Sequence, residues 1–345
     1  MPRLRRADSN EPGIARRRRG RGFEYLGSDG HKVVDPELLE RIRSLGIPPA
    51  WEDVWICPEP NGHLQAVGTD AAGRRQYLYH EAWRRRRDRQ KFDRILEFAE
   101  RLPHLRKRVR RDLRLDGMPR ERVLACAARL LDLGFFRIGS EEYAEGNGSY
   151  GLATLRKDHV RVSDSHAEFD YAAKGGARRV LEVSDPLVLP VLRTLRRRRN
   201  GGPELLAYRD RRTWLDLRSS DINDYIKEHV GEEHSAKDFR TWSGTLLAAV
   251  ALAANDEVGT TKTSRKRQVS EAVKVVASFL GNTPAVCRAS YIDPRLIDLF
   301  LSGQTIRHAL GGRHDPPAEL ERLHGAVERA TIRMLRRGES DSRTA

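Results

Sequence analysis

Residues 235–255, SAKDFRTWSGTLLAAVALAAN, contain the longest uninterrupted apolar run of the chain, from Leu246 to Ala254. Ser235 stands where a helix N-cap belongs, and Asp238, three residues later, approximates a capping box. The pattern predicts a helix that is buried on most of its surface. Because nine apolar positions are about half of a bilayer span, the run does not indicate a transmembrane segment.

A second helical pattern follows in residues 270–292, SEAVKVVASFLGNTPAVCRASYI. Gly281 is typical of a helix C-terminus, and the Thr-Pro pair shortly after it is typical of the start of another helix. The sequence therefore predicts a helix, a sharp break at Asn282 and a short second helix that ends close to Tyr291.

Most of the remaining C-terminal part also has helical spacing. A long helix is expected after the basic segment 84–91, with Pro103 beyond its end, and another between Pro119 and Gly134. The exception is the segment 163–184, which has the alternation of two strands around a Lys-Gly-Gly turn.

The N-terminal part has a different composition. Residues 1–22 contain eight arginines and two acids with almost no apolar side chains, which predicts a flexible basic tail. Residues 23–88 combine strand-like stretches with Asp-Gly and Asn-Gly turn signals and one short helix. We expect this segment to be a small α+β domain, and residues 89–345 to be a second, mostly helical domain.

The charge of the chain indicates a polyanionic partner. Its 345 residues include 64 Lys and Arg against 49 Asp and Glu, a net charge of +15. Such an excess favours nucleic acid. Solubility alone and an anionic membrane surface are the alternatives, although a membrane would favour a basic helix with aromatic residues opposite the charges. Three cysteines without CxxC spacing, and no apolar stretch behind the basic N-terminus, fit a reduced cytoplasmic compartment.

Five polar side chains fall at predicted element boundaries of the C-terminal part, where side chains of different elements can meet. They are Arg137, Lys174, Arg240, Asn282 and Tyr291. Each has an ordinary structural interpretation by itself. A single arginine usually forms a surface salt bridge, a lysine beside two glycines can be turn chemistry, and an asparagine tolerates the left-handed conformation after a helix. A tyrosine before Ile-Asp-Pro can be a packing residue.

As an ordered set, the segments that carry these residues resemble the type IB DNA topoisomerases, specifically the compact poxvirus-like branch found in bacteria. The C-terminal segments are FFRIG (135–139), YGLATL (150–155), FDYAAKGG (169–176), KDFRTWSGT (237–245) and LGNTPAVCRASYI (280–292). The N-terminal segments are GIPPAWEDVWI (46–56), GHLQAVGTD (62–70) and GRRQYLYHEAW (73–83). The resemblance covers about residues 22–310.

The resemblance implies a role for each of the five residues. Tyr291 is expected to be the nucleophile that forms a 3′-phosphotyrosyl link, and Lys174 to be the proton donor. Arg137 and Arg240 are expected to hold the scissile phosphate. Asn282 occupies a position that is His in most of the superfamily, which is a departure from the family pattern.

The resemblance also implies DNA contacts from the smaller domain. Gln76, Tyr77 and Tyr79 match DNA-contacting positions, and Arg74 and Arg75 beside them favour phosphate contact. The alternative is that the two tyrosines simply cover one face of a sheet. The fold implied is α+β, with a small sheet-containing N-terminal domain and a helical catalytic domain that close around double-stranded DNA as a clamp. The protein is expected to act as a monomer near the nucleoid.

Two other classes stay open on the sequence alone. A tyrosine recombinase or integrase shares the catalytic chemistry, but such enzymes usually have H-x-x-R where this chain has Lys237-Asp238-Phe239-Arg240. A DNA-binding protein that has lost activity is supported only by Asn282. No cofactor or metal is predicted, because HxH, HExxH and Walker-type GxxxxGK[ST] patterns are all missing from the sequence.

Overall fold

The computed structural model describes residues 3–134, 136–254, 259, 261–311 and 323–344. Its contacts divide the chain into two compact units, residues 1–93 and 94–345. The division lies five residues from the boundary predicted at 88/89. It falls inside the helix Glu81–Asp112.

The N-terminal unit is built on a five-stranded antiparallel sheet with the strand order β2-β1-β3-β4-β5. Its elements are β1 (Ile14–Arg19), β2 (Gly22–Leu26), α1 (Pro36–Ser44), β3 (Glu52–Ile56), β4 (Leu64–Thr69) and β5 (Arg75–Tyr79). A small core lies against one face of this sheet. It contains the buried side chains of Ile14, Ile42, Val54, Ile56 and Ala66.

The prediction of a flexible tail at residues 1–22 is wrong. Residues 14–19 form β1, an inner strand that pairs with both β2 and β3. Ile14 is buried, and the Arg16 guanidinium donates to the carbonyls of Pro48 and Trp51. Arginine-rich sequence gives no hydrophobic signal, but pairing with β2, which follows at once in the sequence, and with the more distant β3 satisfies the backbone of β1. The arginines of β1 therefore lie on a sheet that is stabilised by strand pairing and by the small core.

The C-terminal unit is mostly helical, as predicted. Its helices are α2 (Glu81–Asp112, which begins in the first unit), α3 (Arg120–Asp132), α4 (Glu141–Asn147), α5 (Leu189–Arg197), α6 (Ser219–Val230), α7 (Ala236–Ala253), α8 (Lys262–Leu280), α9 (Pro284–Ser290), α10 (Pro294–Leu301) and α11 (Ala326–Thr344). Its strands are β6 (Val160–Val162), β7 (Ala167–Ala172), β8 (Arg178–Val183), β9 (Ala207–Asp210) and β10 (Thr213–Asp216). Strands β6, β7 and β8 form an antiparallel sheet, and β9 pairs with β10.

Helix α7 lies at the centre of this unit. It is buried along nearly its whole length and packs against α3, α8, α10 and α11. A helix that is apolar on almost every side can be stable only in such a position. The capping prediction at its N-terminus is confirmed in part, because the Asp238 carboxylate accepts a hydrogen bond from the backbone N–H of Ser235 at 2.8 Å.

Pro103 does not follow the end of the long helix but lies inside it. A proline in this position removes one backbone hydrogen bond. Buried side chains on both sides of it, including Phe98, Leu102 and Leu105, pack into the main core and offset that loss. Among the helices of the described residues, none has both the length and the apolar composition needed to cross a bilayer.

Candidate active site

One cleft in the C-terminal unit brings together four of the five predicted site residues. It has a volume of about 380 Å³ and opens to solvent. Arg137, Lys174, Arg240 and Tyr291 all line it. The fifth residue, Asn282, is hydrogen-bonded to Arg137, since its Oδ1 accepts from the Arg137 Nη2 at 2.6 Å. The structure therefore assembles the whole predicted set from segments that are far apart in the sequence.

Tyr291 sits where α9 ends, as the pattern of residues 270–292 predicted. It is the C-cap residue of that helix, and its side chain is only 8% exposed. Two residues of α7 hold its backbone. The Thr245 hydroxyl donates to the Tyr291 carbonyl at 3.3 Å and accepts from the N–H of Asp293 at 3.1 Å. A Cβ at Gly244 would lie 2.6 Å from the Tyr291 carbonyl oxygen, so only glycine permits this approach.

The break between α8 and α9 has the geometry that the Gly-Asn-Thr-Pro sequence predicted. Gly281 is left-handed, with φ of 61°, and the N–H of Asn282 reaches back to the Ala277 carbonyl at 3.1 Å. These are the features of a Schellman motif. The hydroxyl of Thr283 accepts from the N–H of Val286 and caps α9. The hydrogen bonds at these two helix ends therefore fix the backbone position from which the Asn282 side chain projects.

Arg240 is buried beside the proposed nucleophile. Its side chain donates to the Leu280 carbonyl at 2.7 Å, and its Cζ lies 5.5 Å from the centroid of the Tyr291 ring. Burial, and after it the nearby charge of Arg137, lower the pKa of Arg240 to about 10, whereas Tyr291 acts in the opposite direction. The guanidinium is still protonated at neutral pH. Its charge is held at an energetic cost that an anion in the cleft would offset.

Two nitrogen atoms at this site are buried and have no hydrogen-bond partner within the described residues. They are the Nε of Arg240 and the Nδ2 of Asn282. Because Arg137 already donates to the Asn282 Oδ1, the amide of that residue is oriented with its N–H groups available. An unpaired buried donor costs roughly 1–3 kcal/mol. Two such donors beside one cleft are what a site for an oxyanion requires.

Lys174 lies in the turn between β7 and β8, as predicted. Gly175 and Gly176 both have positive φ values, of 80° and 74°, which explains the need for two glycines after the lysine. The lysine itself is exposed at the edge of the cleft. Its position suits a group that meets a substrate arriving from solvent.

The sequence interpretation missed the residues that support this constellation. Gly244 and Thr245 stand in the quoted segment KDFRTWSGT but had no assigned role. Arg179, on β8, donates to the Phe279 carbonyl at 3.1 Å and was also overlooked. Helix C-terminal carbonyls need partners, so the end of α8 was a signal that cations from elsewhere would gather there.

The predicted DNA-contacting residues of the N-terminal unit divide between the two faces of β5. Arg75, Tyr77 and Tyr79 all lie on the exposed face, because every second residue of a strand faces the same side. The two tyrosine rings are nearly parallel, with centroids 6.2 Å apart. Gln76 is on the opposite, half-buried face, where its amide donates to Asp70 at 2.9 Å.

Arg74 precedes the strand and forms a salt bridge with Asp70 at 2.9 Å. Hydrogen bonds from the Arg74 backbone and side chain lower the pKa of the Asp70 carboxyl to about 2, so it is ionised at neutral pH. Asp70 therefore connects Arg74 to Gln76, whereas the exposed face of β5 presents the two tyrosines.

The α+β fold, the basic composition and this cleft together define a DNA-processing enzyme. Two family models match the chain, one described as the catalytic core of eukaryotic DNA topoisomerase I over residues 80–295 and one as the N-terminal domain of bacterial DNA topoisomerase IB over residues 22–70. The DNA topoisomerase 1B of Acanthamoeba polyphaga mimivirus is 32% identical over 295 residues, covering 84% of this chain and 87% of that protein. The DNA topoisomerase 1B of Vaccinia virus (strain Copenhagen) is 22% identical over 254 residues, covering 72% and 76%.

The chain belongs to the type IB DNA topoisomerase family, of the poxvirus-like kind. It is an isomerase that acts on DNA. The recombinase alternative has no comparable support, and the resemblance found in the sequence is confirmed.

Proposed function

We propose that the chain relaxes positive and negative supercoils in duplex DNA through a transient 3′-phosphotyrosyl link to Tyr291. The observation that supports this most directly is the cleft in which Tyr291 stands beside Arg137, Lys174 and Arg240. The phenolic oxygen attacks the scissile phosphorus, the bond from phosphorus to the 5′-oxygen breaks, and the phenolic proton passes to solvent. The cleaved strand then rotates about the intact strand before religation reverses the step.

The arginines and Asn282 stabilise the charge that develops on the phosphate. Negative charge increases on the two non-bridging oxygens in the transition state, and guanidinium groups match such oxygens with fixed pairs of donors. The unpartnered Nε of Arg240 and Nδ2 of Asn282 supply donors that are already in place. The guanidiniums provide the positive charge that a metal ion provides in other phosphoryl-transfer enzymes. We therefore expect no requirement for a metal ion.

Lys174 is the proposed general acid. The 5′-oxygen is a poor leaving group and needs a proton as its bond to phosphorus breaks. The lysine approaches the cleft from the β7–β8 turn, on the solvent side of the buried tyrosine. In religation the same amine takes the proton back from the 5′-hydroxyl. Since the phosphotyrosyl link conserves the bond energy, no ATP is needed.

The proposal extends to the molecules that the enzyme meets. Double-stranded DNA is the expected substrate, and the exposed face of β5 with Tyr77 and Tyr79 is the expected contact in the N-terminal unit. We expect the enzyme to act as a monomer, in the cytoplasm and near the nucleoid, because one chain carries the complete set of site residues.

The decisive experiment is relaxation of supercoiled plasmid with EDTA and without ATP, followed by a denaturing quench that traps covalent adducts. The parent should relax both signs of supercoil and form adducts. Tyr291→Phe should bind DNA but form none. Tyr150→Phe is the matched control, because Tyr150 is a second tyrosine that lines the cleft in the described part of the chain. Adducts that persist in Tyr291→Phe, or strict dependence on magnesium or ATP, would contradict the proposal.

Two lysines of the cleft allow a similar test of the general acid. Lys174→Ala should slow cleavage, and a substrate with sulfur in place of the 5′ bridging oxygen should restore most of the rate, because a thiolate leaves without protonation. Lys237→Ala, in the first turn of α7, removes a second cation from the cleft, and the sulfur substrate should not restore any rate that this variant loses. If the sulfur substrate restored the cleavage rate of Lys237→Ala and not that of Lys174→Ala, Lys237 would be the general acid.

A further inference from the structure

Three arginines converge on the C-terminal end of α8, and each donates to a different one of three consecutive carbonyls. Arg179 Nη2 donates to Phe279 at 3.1 Å, Arg240 Nη2 to Leu280 at 2.7 Å, and Arg137 Nη2 to Gly281 at 3.4 Å. We call Arg137, Arg179 and Arg240 the active-site arginines. Together with the Schellman hydrogen bonds, they satisfy the carbonyls at this helix end.

The arrangement places three like charges close together. In the described residues, no carboxylate is a hydrogen-bond or salt-bridge partner of the active-site arginines. Burial lowers the pKa of Arg179 from its usual value. Tyr171 acts against this effect, and the charge of Arg137 adds to it. What holds the cations is the negative end of the α8 dipole, which attracts a cation by roughly 0.3–1 kcal/mol, up to about 2 where burial is favourable. The residual positive charge is therefore available to a phosphate.

Arg179 differs from the other two because it is not among the residues that line the cleft. Its guanidinium packs against Gly281 instead, where a Cβ would lie 2.6 Å from its Nη1. Gly281 is followed directly by Asn282, whose Oδ1 accepts from Arg137. A displacement of Arg179 would therefore change the packing against the backbone from which the Asn282 amide projects.

We propose that Arg179 is a positioning residue of the active site, which fixes the end of α8 and so holds Asn282 and Arg137 in the geometry that receives the scissile phosphate. This inference rests on the proposed function, because it concerns the same cleavage step. It adds a residue outside the cleft, held by a backbone carbonyl and by contact with a glycine.

The test is single-turnover cleavage of a suicide duplex by Arg179→Ala. Cleavage should slow about 10–100-fold, the range known for residues that orient the ligands of a metal ion from outside the site. DNA affinity and the free energy of unfolding should stay close to those of the parent. Arg178→Ala is the matched control, because Arg178 is the preceding residue of β8 and is exposed in a salt bridge with Asp170. Its cleavage rate should remain within about twofold of the parent.

A double-mutant cycle with Asn282→Ala separates positioning from direct phosphate contact. If Arg179 acts through Asn282 and Arg137, the two losses should fall well short of additive, and Arg179→Ala should cost less in the Asn282→Ala background than in the parent. Full additivity, or a parental rate for Arg179→Ala alone, would overturn the inference. If the parent itself formed no Tyr291 adduct, the proposed function would fail instead, so the two failures are distinguishable.

Discussion

Two groups of arginines in the C-terminal unit are held by opposite kinds of partner. The active-site arginines are held by carbonyl oxygens at the end of α8. The second group is a buried ion network consisting of Arg106, Arg129, Asp132, Asp185 and Glu328. In that network every guanidinium faces carboxylates, and Arg106 alone reaches both Asp132 and Glu328 at distances of 2.6–3.1 Å.

The comparison separates arginines that serve stability from arginines that we propose serve catalysis. A buried charge with a carboxylate beside it is neutralised and contributes to the fold, and removing one partner leaves the other uncompensated. A buried charge held only by carbonyls keeps its attraction for an anion. Helix α7 joins the two groups, since it carries Arg240 and also Trp242, whose indole donates to Glu328 at 2.8 Å.

The largest expected effect is on the network. Asp132→Asn keeps the volume of the side chain but leaves Arg106 and Arg129 with fewer counterions. The free energy of unfolding should fall by about 3–5 kcal/mol, as when a buried ion pair loses one partner. Urea denaturation at pH 7 would measure it. Cleavage at a temperature well below the unfolding transition should remain near the parental rate, and a specific loss of cleavage would break the comparison.

The same carboxylate predicts how stability depends on acid. Burial alone would raise the pKa of Asp132, but Arg106, His324 and Arg129 outweigh it and hold the pKa well below its usual range. A depressed pKa in the folded state stabilises the fold above the unfolded value of about 3.9, and that contribution is lost as the pH falls further. The Asp132→Asn variant should therefore lose less stability than the parent between about pH 4 and pH 2.

Arg240→Gln should have the opposite profile. Removing a donor that stabilises transition-state charge typically costs about 10²–10³ in rate. Because burial and Arg137 disfavour the charge of Arg240, its loss should leave the free energy of unfolding unchanged or slightly higher. Single-turnover cleavage and urea denaturation on the same sample would check both. A variant that cleaves normally but unfolds more easily would place Arg240 with the network instead.

The smallest effect is expected at Asn282. One amide donor to a charged oxygen contributes about 1.5–3 kcal/mol, so Asn282→Ala should slow cleavage by about 10–10²-fold with little change in DNA affinity. Asn282→His should keep substantial activity and add a pH dependence near 6.5, the usual pKa of histidine. An alanine variant within about twofold of the parent would assign Asn282 to the turn and leave the phosphate to the arginines.

Local chemistry explains which parts of the fold the sequence predicted. The break at Gly281, the cap at Thr283 and the glycine turn after Lys174 depend on contacts within a few residues, and all three have the predicted geometry. The predictions failed where an element is stabilised by segments that are distant in the sequence. Strand β1 has the composition of a disordered basic tail, but its hairpin with β2 is held in the sheet by the distant strand β3. The proline at 103 is tolerated because the long helix is buried on both sides of it.

By itself the sequence determined the class of the protein, and it predicted Arg137, Lys174, Arg240, Asn282 and Tyr291 as the residues of the site. Only the tertiary structure decided how they are held. It placed Gly244 against the Tyr291 backbone and brought Arg179 to the end of α8. It also separated the arginines that face carboxylates from those that face carbonyls. The physical reason is that a motif specifies residue types over short separations, whereas the partner of a buried charge depends on which distant segments fold against it.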